Sequence, residues 1–343
     1  MGTDGFEFIE YTAQDSHALA RLFEQMGFEA VGKHRSKDVI LYRQEDINFI
    51  INHEPDSFGQ AFARAHGPSV CAIGLRVQNA AAAYRRALQL GAEPYAGHPG
   101  PMELNIPAIH GVGRSLIYLV DRYHQGSIYE VDFVPVEGAD FHPQGVGLTV
   151  IDHITNNVRA GHMNYWSGFY ERIFNFREIR YFDIHGKQSG LRSRAMVSPC
   201  GKVRIPINEP TDSRSQIQEY LDLYHGEGIQ HIAVATDDIY ASVEALRTAG
   251  IEFMEVPDTY YEALNARLPG HGEDLQRLQQ DRILIDGAPQ TPGVLLLQIF
   301  TRTVIGPVFF EIIQRKGHSG FGEGNFQALF EAMERDQLQR GVI

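Results

Sequence analysis

Two histidines stand inside otherwise apolar, strand-like runs: His153 in TVIDHITNNV and His231 in GIQHIAVAT. A glutamate, Glu311, stands between Phe310 and Ile312 in VFFEIIQR. A lone carboxylate among such neighbours is costly to bury unless something pairs with it. A metal ion is one such partner. Two imidazoles and one carboxylate form the facial donor set of non-haem iron(II) sites, which leaves three coordination positions open. Yet the chain has 15 histidines, and a single strand histidine is most often a satisfied structural residue. Something must bring these three together.

An internal repeat supplies the reason. Four segments share one plan of apolar strand, polar break, amphipathic helix and terminating residue. They are FEFIEYTAQDSHALARLFEQMGFEAV, CAIGLRVQNAAAAYRRALQLGAEPY, IDHITNNVRAGHMNYWSGFYERIFNFREI and QHIAVATDDIYASVEALRTAGIEFM. Leu19, Leu22, Phe23 and Met26 mark the helical stripe of the first; Ile239, Val243 and Leu246 mark that of the fourth. Phe8 to Gly27, Ala72 to Gly91 and His231 to Gly250 each span 19 positions, and the third repeat is longer, ending at Asn175. More strand-like runs follow each helix. Such units cannot bury their sheets alone, so the first should pair with the second and the third with the fourth. The resulting domains are 1–140 and 148–343, joined near FHPQGVGL.

On this alignment His153 and His231 occupy the same place in repeats three and four, where repeats one and two have Phe8 and Ala72. The last strand of the first half is expected to be SIYEVDFV, with Glu130 placed like Glu311. Lacking both histidines, that half should hold no metal. Side chains alternate faces along a strand. If Glu311 points into a site, so do Phe309 and Ile313. Gln298 then shares a face with Leu296 and Phe300, and Pro206 shares one with Asn208. Aromatic walls with a few amides suit an aromatic ligand with polar ends. Gln230 falls on the face opposite His231, so only a bulge or twist would bring it in.

Bulk properties narrow the class. A net charge of −13 argues against a general nucleic-acid surface. No apolar run reaches the length that spans a bilayer, and the opening MGTDGFEFIEY lacks a signal-peptide pattern. Two cysteines, Cys71 and Cys200, are too few for a disulfide framework and suit a reducing cytoplasm. Gly322 and Gly324, in GFGEGNF, follow no nucleotide-binding unit and do not make a phosphate loop.

PINEP (206–210), SQIQEYL, GIQHIAVAT, LLLQIF, FFEIIQR and GFGEGNFQALF, in that order, resemble the 4-hydroxyphenylpyruvate dioxygenases. The resemblance covers essentially the whole second half, and the first half resembles the more variable half of bacterial members. It implies an α+β chain of the vicinal oxygen chelate, or glyoxalase-like, fold: four βαβββ modules paired into two open barrels with helices outside. It implies one iron(II) per chain on His153, His231 and Glu311. Catalytic or pocket roles fall to Ser193, Asn208, Gln216, Gln230 and Gln298, overriding the parity argument for Gln230. Substrate contacts fall to Phe309, Phe321, Asn325 and Phe326, to which parity adds Pro206 and Phe300. The stretch NFQALFEAMERDQLQR reads as an amphipathic helix with Asn325 at its N-cap and Phe326, Leu329, Phe330 and Met333 on one stripe. The family implies that its start closes over the ligand and keeps water out. It also implies a homo-oligomer, dimer or tetramer.

The reaction so implied is conversion of 4-hydroxyphenylpyruvate and dioxygen to homogentisate and carbon dioxide, a step in tyrosine and phenylalanine breakdown. The substrate's own 2-oxo acid would take two metal positions and leave one for dioxygen. Three rivals remain. A 4-hydroxymandelate synthase shares fold, metal and substrate but hydroxylates the benzylic carbon; Pro206, Asn208 and Phe309 favour the dioxygenase. An isomerase or lyase of the glyoxalase kind uses more carboxylate ligands. A drug-sequestering protein has no use for the three ligands. The last two predict no oxygen uptake.

Overall fold

The computed structural model describes the chain except for residues 125, 186–188, 289, 292, 323, 328–336, 339 and 342–343. Leu329, Phe330 and Met333, expected on the C-terminal helical stripe, lie outside the described residues.

Strands form where apolar, often β-branched runs alternate with turns. The first half supplies β1 (Thr3–Thr12), β2 (Glu29–His34), β3 (Val39–Gln44), β4 (Ile47–Asn52) and β5 (Ser69–Val77). It continues with β6 (Pro94–Tyr95), β7 (Ala108–His110), β8 (Leu116–Val120) and β9 (Phe133–Pro135). The second half supplies β10 (Leu148–Asn157), β11 (Arg177–His185), β12 (Gly190–Val197) and β13 (Arg204–Pro210). Then come β14 (Gly228–Thr236), β15 (Leu284–Gly287), β16 (Leu295–Phe300) and β17 (Phe309–Lys316).

Among the described residues these strands make two mixed sheets with one topology. The first runs β6-β7-β8-β5-β1-β4-β3-β2-β9 and the second β15-β16-β17-β14-β10-β13-β12-β11 in the opposite listing sense. Repeats one and two thus share a sheet, as do three and four. In each half the first strands of the two repeats pair antiparallel at the centre, β1 with β5 and β10 with β14.

Three of the four central strands, β1, β5 and β14, hand over to a helix through a side-chain cap, whereas the helix after β10 starts at His162 without one. Asp15 accepts amide hydrogen bonds at the start of α1 (Ser16–Gln25), and Ser57 does so for α2 (Phe58–His66). Asn79 caps α3 (Ala80–Gln89), and Asp238 caps the equivalent helix Ile239–Thr248 in the fourth repeat. Helices in three repeats end at Gly27, Gly91 and Gly250, all at positive φ. In the third the ending is Asn175 at φ 62°, and the longer spacing comes from a later start and a helix of 12 residues (Met163–Phe174).

The last element of the first half departs from expectation. SIYEVDFV is not one strand: Ile128–Asp132 is a short helix, α4, and Glu130 on it is exposed. Ser127 accepts from the Glu130 amide, and the Glu130 carboxylate accepts from the Gly126 amide at 3.1 Å. The strand equivalent to β17 is instead β8, because both run parallel to the second repeat's central strand. Tyr118 lies opposite Gly74, as Glu311 lies opposite Ala233.

The two barrels are filled differently. Phe8, Val31, Val39, Leu41, Ile50, Val120, Ile128, Tyr129 and Phe133 pack together in the first. Each such aliphatic or phenyl side chain contributes about 1.5–3 kcal/mol on burial. The second sheet turns Phe310 outward against Phe49 and Tyr11 of the first half, at centroid distances of 5.9 and 6.5 Å. Alternation along β17 then turns Glu311 inward. Among the described residues no helix is long and apolar enough to cross a membrane.

Candidate metal centre

The central pair β10–β14 carries the histidines, and its register is interrupted where it matters. Ile151 lies opposite Val234 but His153 lies opposite Ala233, so Asp152 is an extra residue on β10. Thr155 lies opposite His231 but Asn156 lies opposite Ile229, so Gln230 is an extra residue on β14. A bulge of this kind re-aims the inserted side chain. The first half keeps both bulges, at Glu7 and Cys71.

The bulged residues serve the histidines beside them. His153 Nδ1 faces Asp152 Oδ1 at 2.8 Å, and His231 Nδ1 faces Gln230 Oε1 at 3.0 Å. With an acceptor at each Nδ1, that nitrogen carries the hydrogen and Nε2 presents its lone pair. Both Nε2 atoms point at Glu311 Oε2, at 3.2 and 3.5 Å. The three ligand atoms lie within 4.8 Å of one another. His153 and His231 are 3% exposed and Glu311 1%, so bulk water does not satisfy them. Two imidazole nitrogens and a carboxylate oxygen converging in a dry site fit a divalent transition metal with open positions.

The electrostatics agree. Burial pushes the His231 pKa well below its ordinary value, and His153 adds to the effect. Burial acts on His153 in the same sense, but Glu311 and Asp152 outweigh it and its pKa is raised. Burial alone would raise Asp152, yet Arg315 and His153 hold its carboxyl far below the usual range. A metal ion at Nε2 would compete with a proton there, so metal binding and protonation of His153 oppose each other.

Gln298, on β16, donates to the second oxygen of Glu311 at 2.6 Å and more weakly to the Phe321 carbonyl at 3.3 Å. Its own oxygen accepts from Asn325 at 2.9 Å. Asn325 is not an N-cap: Gly324 is already helical, the Asn325 amide bonds to the Gly322 carbonyl, and its side chain reaches inward. Tyr260 completes the chain by donating to Asn325 at 2.7 Å. Gly322 serves this contact, and Gly324 a close approach to Asp286. A Cβ on Gly322 would stand 2.1 Å from Gln298 Oε1, and one on Gly324 would stand 2.6 Å from Asp286 Oδ1.

Aromatic rings line the other side. Phe309 stacks on His231 at 4.8 Å, with Phe300 at 6.5 Å from the same imidazole, and Phe321 meets His153 edge-on at 5.4 Å. Several buried polar atoms have no described protein partner: Ser193 Oγ, Asn208 Oδ1, Asn157 Nδ2, Thr155 Oγ1 and Gln216 Oε1. Ser193 pairs across from Asn208, and Asn208 from Asn157. Asn208 donates to Asn157 at 3.2 Å and, more distantly, to Gln230 at 3.5 Å. Buried polar atoms in native proteins are nearly always bonded, so this group stands out among the described residues. Pro206 is buried two residues before Asn208. Phe326 stacks on Phe182 of β11 at 5.1 Å.

Sequence reasoning thus misses Asp152, Arg315, Thr155, Asn157 and Tyr260. Thr155 and Asn157 share a strand face with His153 and were open to the parity argument. The others depend on the bulge and on contacts between segments distant in the chain.

Comparison with known proteins identifies the family. Residues 1–134 match the family described as hydroxyphenylpyruvate dioxygenase, HPPD, N-terminal. Residues 150–267 match the glyoxalase/bleomycin resistance protein/dioxygenase superfamily. The chain is 59% identical to a 4-hydroxyphenylpyruvate dioxygenase from Pseudomonas aeruginosa, over 100% of this chain and 97% of that one. It is 60% identical, with the same coverages, to a Vibrio vulnificus protein named hemolysin VllY. Among solved structures, a TIM barrel/4-hydroxyphenylpyruvate dioxygenase fusion protein matches with TM-score 0.83 and 37% identity, over 97% of this chain and 52% of that one. An engineered 4-hydroxymandelate synthase from Streptomyces coelicolor matches with TM-score 0.85 at 24% identity, over 98% and 100%, a likeness of fold. With its paired glyoxalase-like halves and full-length identity to named members, this chain belongs to the 4-hydroxyphenylpyruvate dioxygenase family.

Proposed function

We propose that the chain converts 4-hydroxyphenylpyruvate and dioxygen to homogentisate and carbon dioxide, with one iron(II) held by His153, His231 and Glu311. The observation that carries the reading is the convergence of two Nε2 atoms on Glu311 Oε2 in a dry site. Bound iron(II) supplies the redox chemistry and the Lewis acidity that holds a 2-oxo acid. The chain's own groups do the rest. Asp152, Gln230 and Gln298 fix the three ligands. Phe309 and Phe321 set the plane of the substrate ring. Ser193, Asn208, Gln216, Thr155 and Asn157 offer donors and acceptors to its phenol end and to the oxygens of the product. Phe300 and Pro206 fill the wall behind, and Asn325 ties the C-terminal segment to Gln298. Burial of the site keeps bulk water from intermediates.

The test is anaerobic reconstitution with iron(II), then addition of 4-hydroxyphenylpyruvate and oxygen, with uptake followed and products weighed. One oxygen consumed per homogentisate formed supports the reading. Hydroxymandelate as product would transfer the chain to the synthase chemistry. No uptake by iron-loaded protein would rule out both.

A further inference from the structure

The segment 318–322 hangs from the groups that orient two of the three metal-site residues. Arg315 places Nε and Nη2 on the two oxygens of Asp152, at 2.6 and 2.8 Å. Asp152 in turn accepts from His153. The remaining nitrogen of the same guanidinium, Nη1, donates to the carbonyls of His318 at 3.1 Å and Gly320 at 2.6 Å. The next residue, Phe321, lays its ring against His153, and its carbonyl accepts from Gln298, which also holds Glu311. One rigid, planar fork therefore fixes both the imidazole of His153 and the backbone just before Phe321. Lysine can replace the charge of that fork but not its geometry.

We infer that Arg315 is a positioning residue that couples the seating of residues 318–322 to the orientation of His153, so that metal binding and the seating of this segment favour each other. The inference rests on the metal reading above. A coupling between two binding events is reciprocal: metal that holds His153 in place stabilises Asp152 and the fork, and a seated segment holds the fork for the metal. Arg204, 3.4 Å from Asp152, keeps that buried carboxylate partly neutralised when Arg315 is altered.

The experiment uses the full-length, metal-free protein and cobalt(II) as a redox-stable probe. Calorimetry gives the cobalt affinity, and hydrogen exchange follows backbone amides in residues 318–327 with and without cobalt. In the wild type, cobalt should slow exchange there about 10-fold, within the usual range of coupling between sites. Arg315→Lys should bind cobalt about 10-fold more weakly, and cobalt should no longer slow exchange. Asp152→Asn breaks the same link from the other end and should also abolish the effect, which keeps the test alive if Arg315→Lys folds poorly. Full cobalt-dependent protection in both variants overturns the coupling and leaves the metal reading intact, as does wild type that binds cobalt with no change in exchange. Faster exchange by the same factor with and without cobalt would make Arg315 a structural prop and likewise overturn it. Wild type that takes up no cobalt overturns the metal reading and the coupling together.

Discussion

Asp152 accepts a hydrogen bond at 2.8 Å from His153, its immediate neighbour in the chain. Adjacent residues on a regular strand point to opposite faces. The contact exists because Asp152 is the inserted residue of a bulge opposite Val234 and Ala233. Gln230 and His231 repeat the device on the partner strand. The chain thus builds two converging imidazoles and their orienting groups from two dipeptides, DH and QH.

Loss of the Asp152 carboxylate should therefore weaken the metal site without removing a ligand. Asp152→Asn is expected to lower cobalt affinity about 10–100-fold, the usual effect of losing such a partner. It also leaves Arg315 and Arg204 without their shared anion. Calorimetry on the folded variant checks this; an affinity within about threefold of wild type would show that Asp152 serves the arginines and not His153.

Glu311→Gln and Glu130→Gln should separate cleanly. Glu311→Gln is expected to fold but to lose metal and oxygen uptake, because a neutral amide is a poor ligand and Oε2 is the atom both imidazoles face. Glu130 sits exposed on a helical turn, so its change should leave metal content and uptake as they were. Metal analysis and an oxygen electrode suffice, and equal loss in both variants contradicts the placement of the site in the second barrel.

The repeat plan and the convergence of His153 and His231 were legible because they depend on spacing: strand to helix end is a fixed interval, and equivalent positions then align. The bulges were not, because register belongs to a pair of strands and no single run displays it. Alternation alone puts Gln230 on the wrong face and hides Asp152 altogether. Glu130 shows the opposite error. SIYEVDFV alternates like a strand, yet Ser127 and Glu130 stand at the serine-to-glutamate spacing of a helix start, and that spacing was the available signal. Arg315 could not be read at all, since its role rests on carbonyls of the backbone that follows it.

Glycine at 322 should be required for a reason distinct from its backbone angle. Gly322 and Gly91 both sit at positive φ, 77° and 86°, so alanine at either incurs roughly 1 kcal/mol of strain. Nothing lies within 4 Å of a Cβ at 91, whereas one at 322 meets Gln298 Oε1 at 2.1 Å. Gly322→Ala should therefore disturb Gln298, and through it Glu311, lowering kcat well beyond Gly91→Ala at similar thermal stability. Matching kinetics in the two variants would mean that the Gln298 contact is dispensable.

The first barrel offers a stringent check on what makes the site. It keeps both bulges, and Phe8, Ala72 and Tyr118 stand at the register positions of His153, His231 and Glu311. Two rings fill the space instead, with Phe8 and Tyr118 at 5.7 Å. If strand register and bulges alone set the geometry, the triple change Phe8→His, Ala72→His and Tyr118→Glu should create a second metal site. It should bind more weakly than the first, because Cys71 replaces Gln230 as the neighbour of the second histidine and Glu7 is engaged by Arg76 at 2.5 Å. Replacing a buried ring typically costs about 3–5 kcal/mol, so the variant needs metal present during folding, where binding offsets part of that loss. Cobalt stoichiometry is the readout: two per chain, falling to one when Glu311→Gln is added, places the metal geometry in the repeat itself. A folded triple variant that still binds one cobalt would assign it to contacts that only the second barrel has, the Arg315–Asp152 pair foremost among them.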